Sequence, residues 1–457
     1  MRLADLGGAE GDLVRLPPRH RARRSASQPP PGAAVTGLLP APRMRSNIRW
    51  NLVGNVAYAL GQWVQLIILA HMGGPAAVGV YVFALSLTAP VMMLASLCLR
   101  FVQACDARRA YAFREYLGLR GATTAAAVAT IALIAWGTGG PAWAVLLPIC
   151  AMRAADALAD IHYGLWQQHE RMGVIAGGLI LNSISSAAFM TVAALLGGGV
   201  PGAAIGSALG SCAALVFVRL RASADAELRR AVAERPGPVS WPRMGRLAAE
   251  AAPLGITILL GSLQQYVPRF FLAHYGGDVA LGVFAAASQL TAGGDVVIAA
   301  LGGAAGPRLA SLRAAGEAGA FRGLIRKLVL FGALLGAAGV ALSAVAGRRI
   351  LELLYRPEFG SGAPVLVLLS AAAGIWFVAT LLGYSLSAAR VFKVQPALLA
   401  VALIVLMAGC AVLVPVHGGA GAAMALLLAS SVQALLAWQV LRKVRVEVEK
   451  CAEPQAA

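Results

Sequence analysis

The sequence predicts an all-α integral membrane protein, with about twelve transmembrane helices arranged as two pseudo-repeated six-helix bundles. Two observations predict this class. Apolar residues make up 59% of the 457-residue chain and charged residues only 13%, whereas a soluble protein carries about 25% charged residues. A phrase in the first half also returns in the second half, which is typical of two similar bundles.

The repeat lies at a constant offset of 203 residues. Leu-Ala-His-x-Gly-Gly begins at Leu69 and again at Leu272, and Gly-Val followed by an aromatic residue begins at Gly79 and again at Gly282. Each copy joins one long apolar segment to the next through a short Gly-rich turn. Because transporters bind cargo between such bundles, the repeat favours transport over catalysis.

Twelve apolar runs are long enough to cross a bilayer, which takes about 20 residues. They are 52–72, 77–99, 122–137, 143–165, 172–196, 203–218, 251–274, 280–301, 328–346, 364–388, 396–414 and 420–441. The fourth run is the least regular because Arg153, Asp156 and Asp160 interrupt it.

Lys and Arg concentrate in alternate loops: after the second, sixth and eighth spans, and in the tail. The turns without any Lys or Arg are 73–76, 138–142, 197–202, 275–279 and 415–419. This alternation predicts that both termini are cytoplasmic and that the Gly-rich turns lie outside. The exception is a loop predicted outside that contains Arg348, Arg349 and Arg356, where Glu352 and Glu358 offset the charge.

The remaining segments complete the domain organisation. The predicted order is a disordered basic extension at 1–45, a bundle at 46–218, a cytoplasmic linker at 219–249, a second bundle at 250–445 and a tail at 446–457. The extension has Pro-Pro stretches and no apolar period, which indicates disorder and not a signal peptide. The alternative is a native chain that begins at Met44.

Other patterns exclude several function classes. The net charge of +18 sits at the chain ends and in loops, which favours contact with anionic membrane lipids over nucleic acid. The six cysteines are scattered, and no nucleophile–base pair, metal cluster or phosphate-binding loop with Lys and Ser/Thr is present. We therefore predict no catalytic residue, no metal and no cofactor, so the protein is not expected to be an enzyme.

Several short motifs resemble one known family. They are Gly79-x-Tyr81, Leu99-Arg100-x5-Asp106, Tyr116-x3-Arg120, Leu354-Tyr355-x-Pro357-Glu358-Phe359 and Pro415-x2-Gly418-x2-Gly421-Ala422-Ala423. The chain from Met44 to about Arg445 resembles the oligosaccharide flippases, also called polysaccharide biosynthesis proteins. Their superfamily includes multidrug and toxic compound extruders and lipid-linked peptidoglycan precursor flippases. Arg356 stands where members often have Gly, so a different outer turn is expected there.

The resemblance implies two six-helix bundles that face a central cavity and alternate in access to the two sides of a bacterial inner membrane. The implied cargo is a polyprenyl-diphosphate-linked oligosaccharide for O-antigen, capsule or exopolysaccharide assembly. Polysaccharide polymerase and glycosyltransferases are the implied protein partners.

Charged residues inside predicted spans are candidates for cargo binding, since each costs at least about 2.5 kcal/mol at the centre of a membrane. Arg153 and Asp156 share one helical face: Arg153 either grips a phosphate with its planar fork or forms an ion pair with Asp156. Arg269 either lines the cavity or reaches towards the outer interface. For Asp295 three roles are open: the counter-ion of Arg269, a protonation site, or a structural acid.

Uncharged polar residues complete the candidate site. Gln62 and Gln265 correspond at the offset of the repeat, so both bundles present an amide at the same height. These amides suit sugar hydroxyls, although hydrogen bonds between helices explain them too.

Two other functions remain open. A cation-coupled multidrug exporter would use Asp295 or Asp156 as its proton-linked acid, and a membrane scaffold for glycosyltransferases would need no intramembrane charge. The four charged candidates balance in sign, and the family resemblance favours the flippase.

Overall fold

The structure is a computed structural model that describes residues 41–106, 109–138, 143–233, 240–391 and 394–452. The predicted basic extension lies outside these residues as far as position 40, and the first helix begins at Ala41. Within the described ranges, all regular secondary structure is helical. The predicted all-α class is confirmed.

The described chain forms twelve α-helices and one short 3-10 helix. They are α1 (Ala41–Ser96), α2 (Leu99–Cys105), α3 (Phe113–Thr138), α4 (Trp143–Gln168), α5 (Met172–Leu195), α6 (Gly199–Ala224), α7 (Ala226–Ala233), α8 (Trp241–Tyr275), α9 (Gly277–Ala314), α10 (Ala318–Leu354), the 3-10 helix (Pro357–Gly362), α11 (Ala363–Ala388) and α12 (Gln395–Ala452). Ten of the α-helices are long, and two of these, α1 and α12, each consist of two segments joined at a kink. The long helical segments therefore number twelve and coincide with the twelve predicted spans.

Nine helices in the described ranges are long and apolar enough to cross a membrane, with α1 and α12 each counted once. The long helix outside this set is α4, which carries Arg153, Asp156 and Asp160. These charges interrupt its apolar run without interrupting its backbone. The helix is continuous through all three residues, as the sequence predicted for the fourth span.

Each of the two repeated Gly-rich turns contains a glycine with positive φ at the equivalent position. Gly74 at the kink of α1 has φ of 64°, and Gly277 at the start of α9, its equivalent in the repeat, has φ of 68°. L-residues rarely adopt positive φ, so glycine is favoured at both positions. The shared Gly-Gly pair thus places an equivalent break between successive helices in each half.

Small residues bring neighbouring helices of one half into close contact. In the first half, Gly206 and Gly210 of α6 lie against the backbone of α5 at Phe189 and Ser186. Their spacing of four residues puts both glycines on one face of α6, where small residues allow helices to pack closely. In the second half, Gly336 of α10 lies against Gly374 of α11.

The two halves touch through reciprocal contacts beside the Gly-rich turns. A Cβ atom at Gly79 would collide with the carbonyl of Asp278, and one at Gly282 would collide with the carbonyl of Pro75. Gly79 and Gly282 are equivalent in the repeat, as are Pro75 and Asp278. The same backbone contact therefore occurs twice, with the roles of the halves exchanged.

The predicted outer-loop motif lies in the same region. Trp63 of the first half donates a hydrogen bond from Nε1 to the Tyr355 hydroxyl, at 2.9 Å. Arg356 is extended, with φ of −159°, so this turn does not need the glycine that family members often have. The largest buried cluster, which includes Tyr81 and Phe284, extends across both halves here.

The linker predicted between the two bundles corresponds to a region of helix ends in the middle of the chain. Helix α6 ends at Ala224, α7 covers Ala226–Ala233 and α8 begins at Trp241. The predicted linker at 219–249 therefore includes the ends of two long helices and one short helix. Its role as a cytoplasmic linker stays a prediction.

Candidate functional site

A cavity of about 140 Å³ lies between the two halves, lined by α1, α4, α5 and α6 of the first half and by α8 and α9 of the second. Five of the six predicted site residues line it: Gln62, Arg153, Asp156, Gln265 and Arg269. We call this space the cationic cavity. Residues separated by more than 100 positions in the chain meet here because the reciprocal contacts bring the halves together.

Arg153 lies on α4 and faces the cationic cavity. Its Nε atom is buried and has no hydrogen-bond partner, and within the described residues Arg153 forms no ion pair. Asp156 instead accepts a hydrogen bond from Asn182 Nδ2 at 3.1 Å, and the same nitrogen lies 3.3 Å from the Ser211 hydroxyl. The self-contained Arg153–Asp156 ion pair that the spacing allowed is therefore not formed.

Arg269 approaches the same cavity from α8. Its guanidinium carbon lies 5.3 Å from the centre of the Tyr266 ring, a geometry in which the ring face attracts the cation. Its Nε atom is also buried without a hydrogen-bond partner. The side chain thus lies on the cavity wall, which is the first of the two positions the sequence left open.

The charges of the cationic cavity favour an anion. Its lining contains Arg153 and Arg269 and a single carboxylate, Asp156. Each guanidinium has five N–H donors and no acceptor, and within the described residues neither guanidinium donates a hydrogen bond to a protein oxygen. Because charge interactions are stronger away from bulk water, two such cations can bind phosphate through paired hydrogen bonds.

A second cavity of about 420 Å³ adjoins the first and lies within the second half of the chain. It is lined by Asp295 and Trp376, and it shares Gln265, Arg269 and Gln289 with the cationic cavity. We call it the Asp295 cavity, after its one carboxylate. Asp295, the sixth predicted site residue, therefore lines a cavity that adjoins the one lined by the other five.

Sequence reasoning missed several residues of the cationic cavity. Tyr58, Gln65, Tyr266 and Gln289 line it without having been singled out. Tyr58 and Gln65 lie four residues before and three after Gln62, so the helical period could have identified both. For Gln289 we find no comparable signal, because its role depends on how α9 packs against α8.

Asp160 is separate from the cavity residues that precede it on α4. It bridges two arginines, Arg100 at 3.3 Å and Arg120 at 3.1 Å. In the same region Tyr116 donates a hydrogen bond to Asp106 at 3.3 Å. The arginine–aspartate motifs that carry the family resemblance thus form a structural network at the end of the bundle predicted to be cytoplasmic.

This network also joins the two halves. Arg243 of α8 forms an ion pair with Glu115 of α3 at 2.9 Å, and Tyr111 donates a hydrogen bond to Glu250 at 2.9 Å. Burial raises the pKa of the Tyr111 hydroxyl, and the bond to Glu250 raises it further, so the hydroxyl remains a donor at neutral pH. The halves are therefore connected at both ends of the bundle.

In the part of the chain that the structure describes, twelve long helical segments form two halves around a cavity, and the two arginines that line it have no ion pair. This arrangement is typical of membrane transporters. Residues 44–313, more than half of the chain, match the family model of the polysaccharide biosynthesis protein. The chain therefore belongs to the polysaccharide biosynthesis protein family.

Individual proteins agree with this assignment. The chain is 23% identical over 390 residues to the capsular polysaccharide biosynthesis protein CapF of Staphylococcus aureus, covering 83% of this chain and 95% of that protein. It is similar to an inward-facing multidrug resistance MATE family transporter of the MOP superfamily, with a TM-score of 0.71, 13% identity and coverage of 86% and 96%. It is also similar to the inward closed lipid II flippase MurJ, with a TM-score of 0.67, 12% identity and coverage of 88% and 90%. At these identities the two structures show a shared fold.

Proposed function

We propose that this protein flips a polyprenyl-diphosphate-linked oligosaccharide from the cytoplasmic to the outer leaflet of the bacterial inner membrane, for the assembly of a surface polysaccharide. One observation carries the proposal: Arg153 and Arg269 face one cavity between the halves, and within the described residues neither has an anionic partner. The name of the CapF relative, which refers to capsular polysaccharide biosynthesis, supports the cargo class.

In this proposal the diphosphate binds between the two arginines, one from each half of the protein. Gln62 and Gln265 line the same cavity and can donate to and accept from sugar hydroxyls. A ligand held by residues of both halves responds to their relative movement, which is the basis of alternating access. Polysaccharide polymerase and glycosyltransferases are the expected partners on either side of this step.

The test is flipping of a fluorescent polyprenyl-diphosphate-linked glycan in proteoliposomes. Arg153→Ala removes a charged hydrogen-bond donor worth about 1.5–3 kcal/mol, so we expect a loss of about tenfold or more in flipping rate. Arg153→Lys keeps the charge without the fork, and it is expected to retain part of the activity. Arg269→Ala should also reduce the rate.

The control for this series is Arg348→Ala, a side chain that is 77% exposed and paired with Glu352. It should leave the flipping rate unchanged at equal protein level. Full activity of both Arg153→Ala and Arg269→Ala, in protein that inserts normally, would exclude phosphate binding by these residues.

The proposed orientation places both termini in the cytoplasm, because five turns predicted outside lack Lys and Arg. A cysteine introduced at Val279, beside the start of α9 and 57% exposed, should react with a membrane-impermeant maleimide added to intact cells. A cysteine at Ala248 in α8 should react only after the cells are opened. The opposite pattern would invert the orientation.

A cation-coupled multidrug exporter is the second candidate, and Asp295 is the observation that favours it. This carboxylate faces a cavity next to the cationic one and could attract a cationic drug or a proton. Efflux of a cationic dye that depends on Asp295, with no flipping of the lipid-linked glycan, would favour the exporter.

A further inference from the structure

We infer that the Asp295 cavity is the subsite for the first sugar of the cargo, the one bonded to the diphosphate. This inference rests on the proposed function, since it needs a diphosphate in the cationic cavity. In this inference the second half of the protein recognises the glycan, while the cationic cavity recognises the diphosphate.

Continuity of the two spaces is the first argument. Gln265, Arg269 and Gln289 line both cavities, so a ligand bound in one is in contact with the wall of the other. In a polyprenyl-diphosphate-linked glycan, the terminal phosphate oxygen is bonded directly to the first sugar. A sugar attached to a phosphate near Arg269 therefore enters the adjoining and larger cavity with no intervening linker.

The chemistry of the lining is the second argument. Trp376 donates a hydrogen bond from Nε1 to a carboxylate oxygen of Asp295 at 3.1 Å, which occupies one acceptor position and leaves the others open to the cavity. Within the described residues Asp295 forms no ion pair. A carboxylate beside an indole ring suits a pyranose, because sugar hydroxyls donate to the carboxylate while the apolar C–H face of the sugar packs on the ring.

Helix packing holds these two side chains in place. Gly294 of α9 lies directly against the ring of Phe377 of α11, and any larger residue there would separate the helices. Asp295 and Trp376 are the adjacent residues on the same two helices. The remaining wall is mostly apolar, with a few polar groups such as Gln264 and Thr380, as is typical of a small-molecule site.

The experiment compares two ligands bound to the full-length protein in nanodiscs: undecaprenyl diphosphate, and undecaprenyl diphosphate that carries one N-acetylhexosamine. Asp295→Ala and Trp376→Leu should raise the Kd of the glycosylated lipid about tenfold and leave that of undecaprenyl diphosphate unchanged. Asp295→Asn, which keeps the shape and one acceptor, should have a smaller effect and remains informative if alanine disturbs folding.

Matched controls separate local from general effects. Glu317→Gln changes an exposed acid without a side-chain hydrogen bond at the start of α10, and Trp136→Leu changes a tryptophan that is 80% exposed. Both should leave the two Kd values unchanged. Arg153→Ala should raise both Kd values, because both ligands carry the diphosphate.

The outcomes distinguish this inference from the proposed function. If Arg153→Ala and Arg269→Ala raise neither Kd, the proposed function fails. If those variants raise both Kd values while Asp295→Ala and Trp376→Leu change neither, or change both equally, the sugar subsite is wrong and the proposed function stands. Loss of flipping in Asp295→Asn with both Kd values unchanged would assign the carboxylate to energy coupling and overturn the subsite.

Discussion

Asp156 lies three residues after Arg153 on α4, yet its hydrogen bond comes from Asn182 on α5. Ser186 of α5 in turn lies within hydrogen-bonding distance of the Asn182 amide oxygen, at 3.3 Å. The acid is thus held by a polar network of the first half, and the guanidinium of Arg153 is left to face the cavity. The two residues are neighbours in the helix, yet no ion pair joins them.

This separation predicts the behaviour of a double variant. Asp156→Ala added to Arg153→Ala should not restore flipping, because the arginine serves the ligand and does not neutralise the aspartate. The double variant should flip the lipid-linked glycan at or below the rate of Arg153→Ala, measured in proteoliposomes at equal protein density. Recovery towards the wild-type rate would mean that the two side chains are a structural pair.

For single residues, the sequence indicated which charged side chains would line the cavities, but not which groups they would contact. A charge in an apolar run is conspicuous because it is costly, and Arg153, Arg269 and Asp295 were found on that ground. Which group each would meet depends on the neighbouring helix, so the Asn182–Asp156 bond could not be predicted. The Tyr266 ring that contacts Arg269 lies three residues earlier on the same helix, so the helical period could have indicated this contact.

The contact between α9 and α11 is the element-scale feature that shapes the Asp295 cavity. Gly302 of α9 lies against the ring of Tyr384 of α11, in the same way that Gly294 lies against Phe377. By contrast, a Cβ atom at the next residue, Gly303, would meet open space. One face of α9 therefore needs glycine and the other does not.

Gly302→Ala is expected to lower the thermal stability of the protein in detergent. Its methyl group would overlap the Tyr384 ring, and overpacking typically costs about 1–3 kcal/mol. Gly303→Ala is the matched control and should leave the melting temperature unchanged or slightly raised, since alanine favours helix. Equal melting temperatures for the two variants would contradict the tight packing of α9 on α11.

The order and approximate length of the helices could be predicted, because a bilayer requires about 20 apolar residues for each crossing. The turn at 415–419, predicted as a connection between two spans, is the kink at Gly418 that joins the two segments of α12. Another break was harder to place. The break at Leu97 and Cys98, which both have positive φ, has no glycine or proline to indicate it.

At the scale of the whole molecule, the reciprocal contacts close the space between the halves beside the Gly-rich turns. Gly79 lies against Asp278, and Gly282 lies against Pro75. Both contacts involve backbone atoms, which cannot move aside as a side chain can. Opening the cavity towards this side would require both contacts to separate.

Gly79→Ala should therefore shift the protein towards the state that is open at the Gly-rich turns. A cost of about 1–3 kcal/mol for the closed state corresponds to about a tenfold change in the equilibrium. The measurement is labelling from outside of a cysteine at Gln62, in a background without native cysteines, by an impermeant maleimide. We expect labelling to accelerate about tenfold.

Gly121→Ala is the control for this prediction, because a Cβ atom at Gly121 of α3 would meet nothing within 4 Å. It should not change the labelling rate. An unchanged rate in Gly79→Ala as well would mean that the contact does not limit access to the cationic cavity.

The exchanged contacts have the form of a homodimer interface, in which residue i of one subunit touches residue j of the other and the reverse also holds. Such an arrangement is expected if the chain descends from two identical subunits that became fused. In a symmetric dimer, a charge gained at one site appears twice. After fusion one copy can change alone, and the equivalent of Arg269 in the first half is Leu66, an apolar residue that lines the same cavity. The two walls of the cavity therefore differ in charge although the halves repeat, which suits the proposed cargo because its two ends differ.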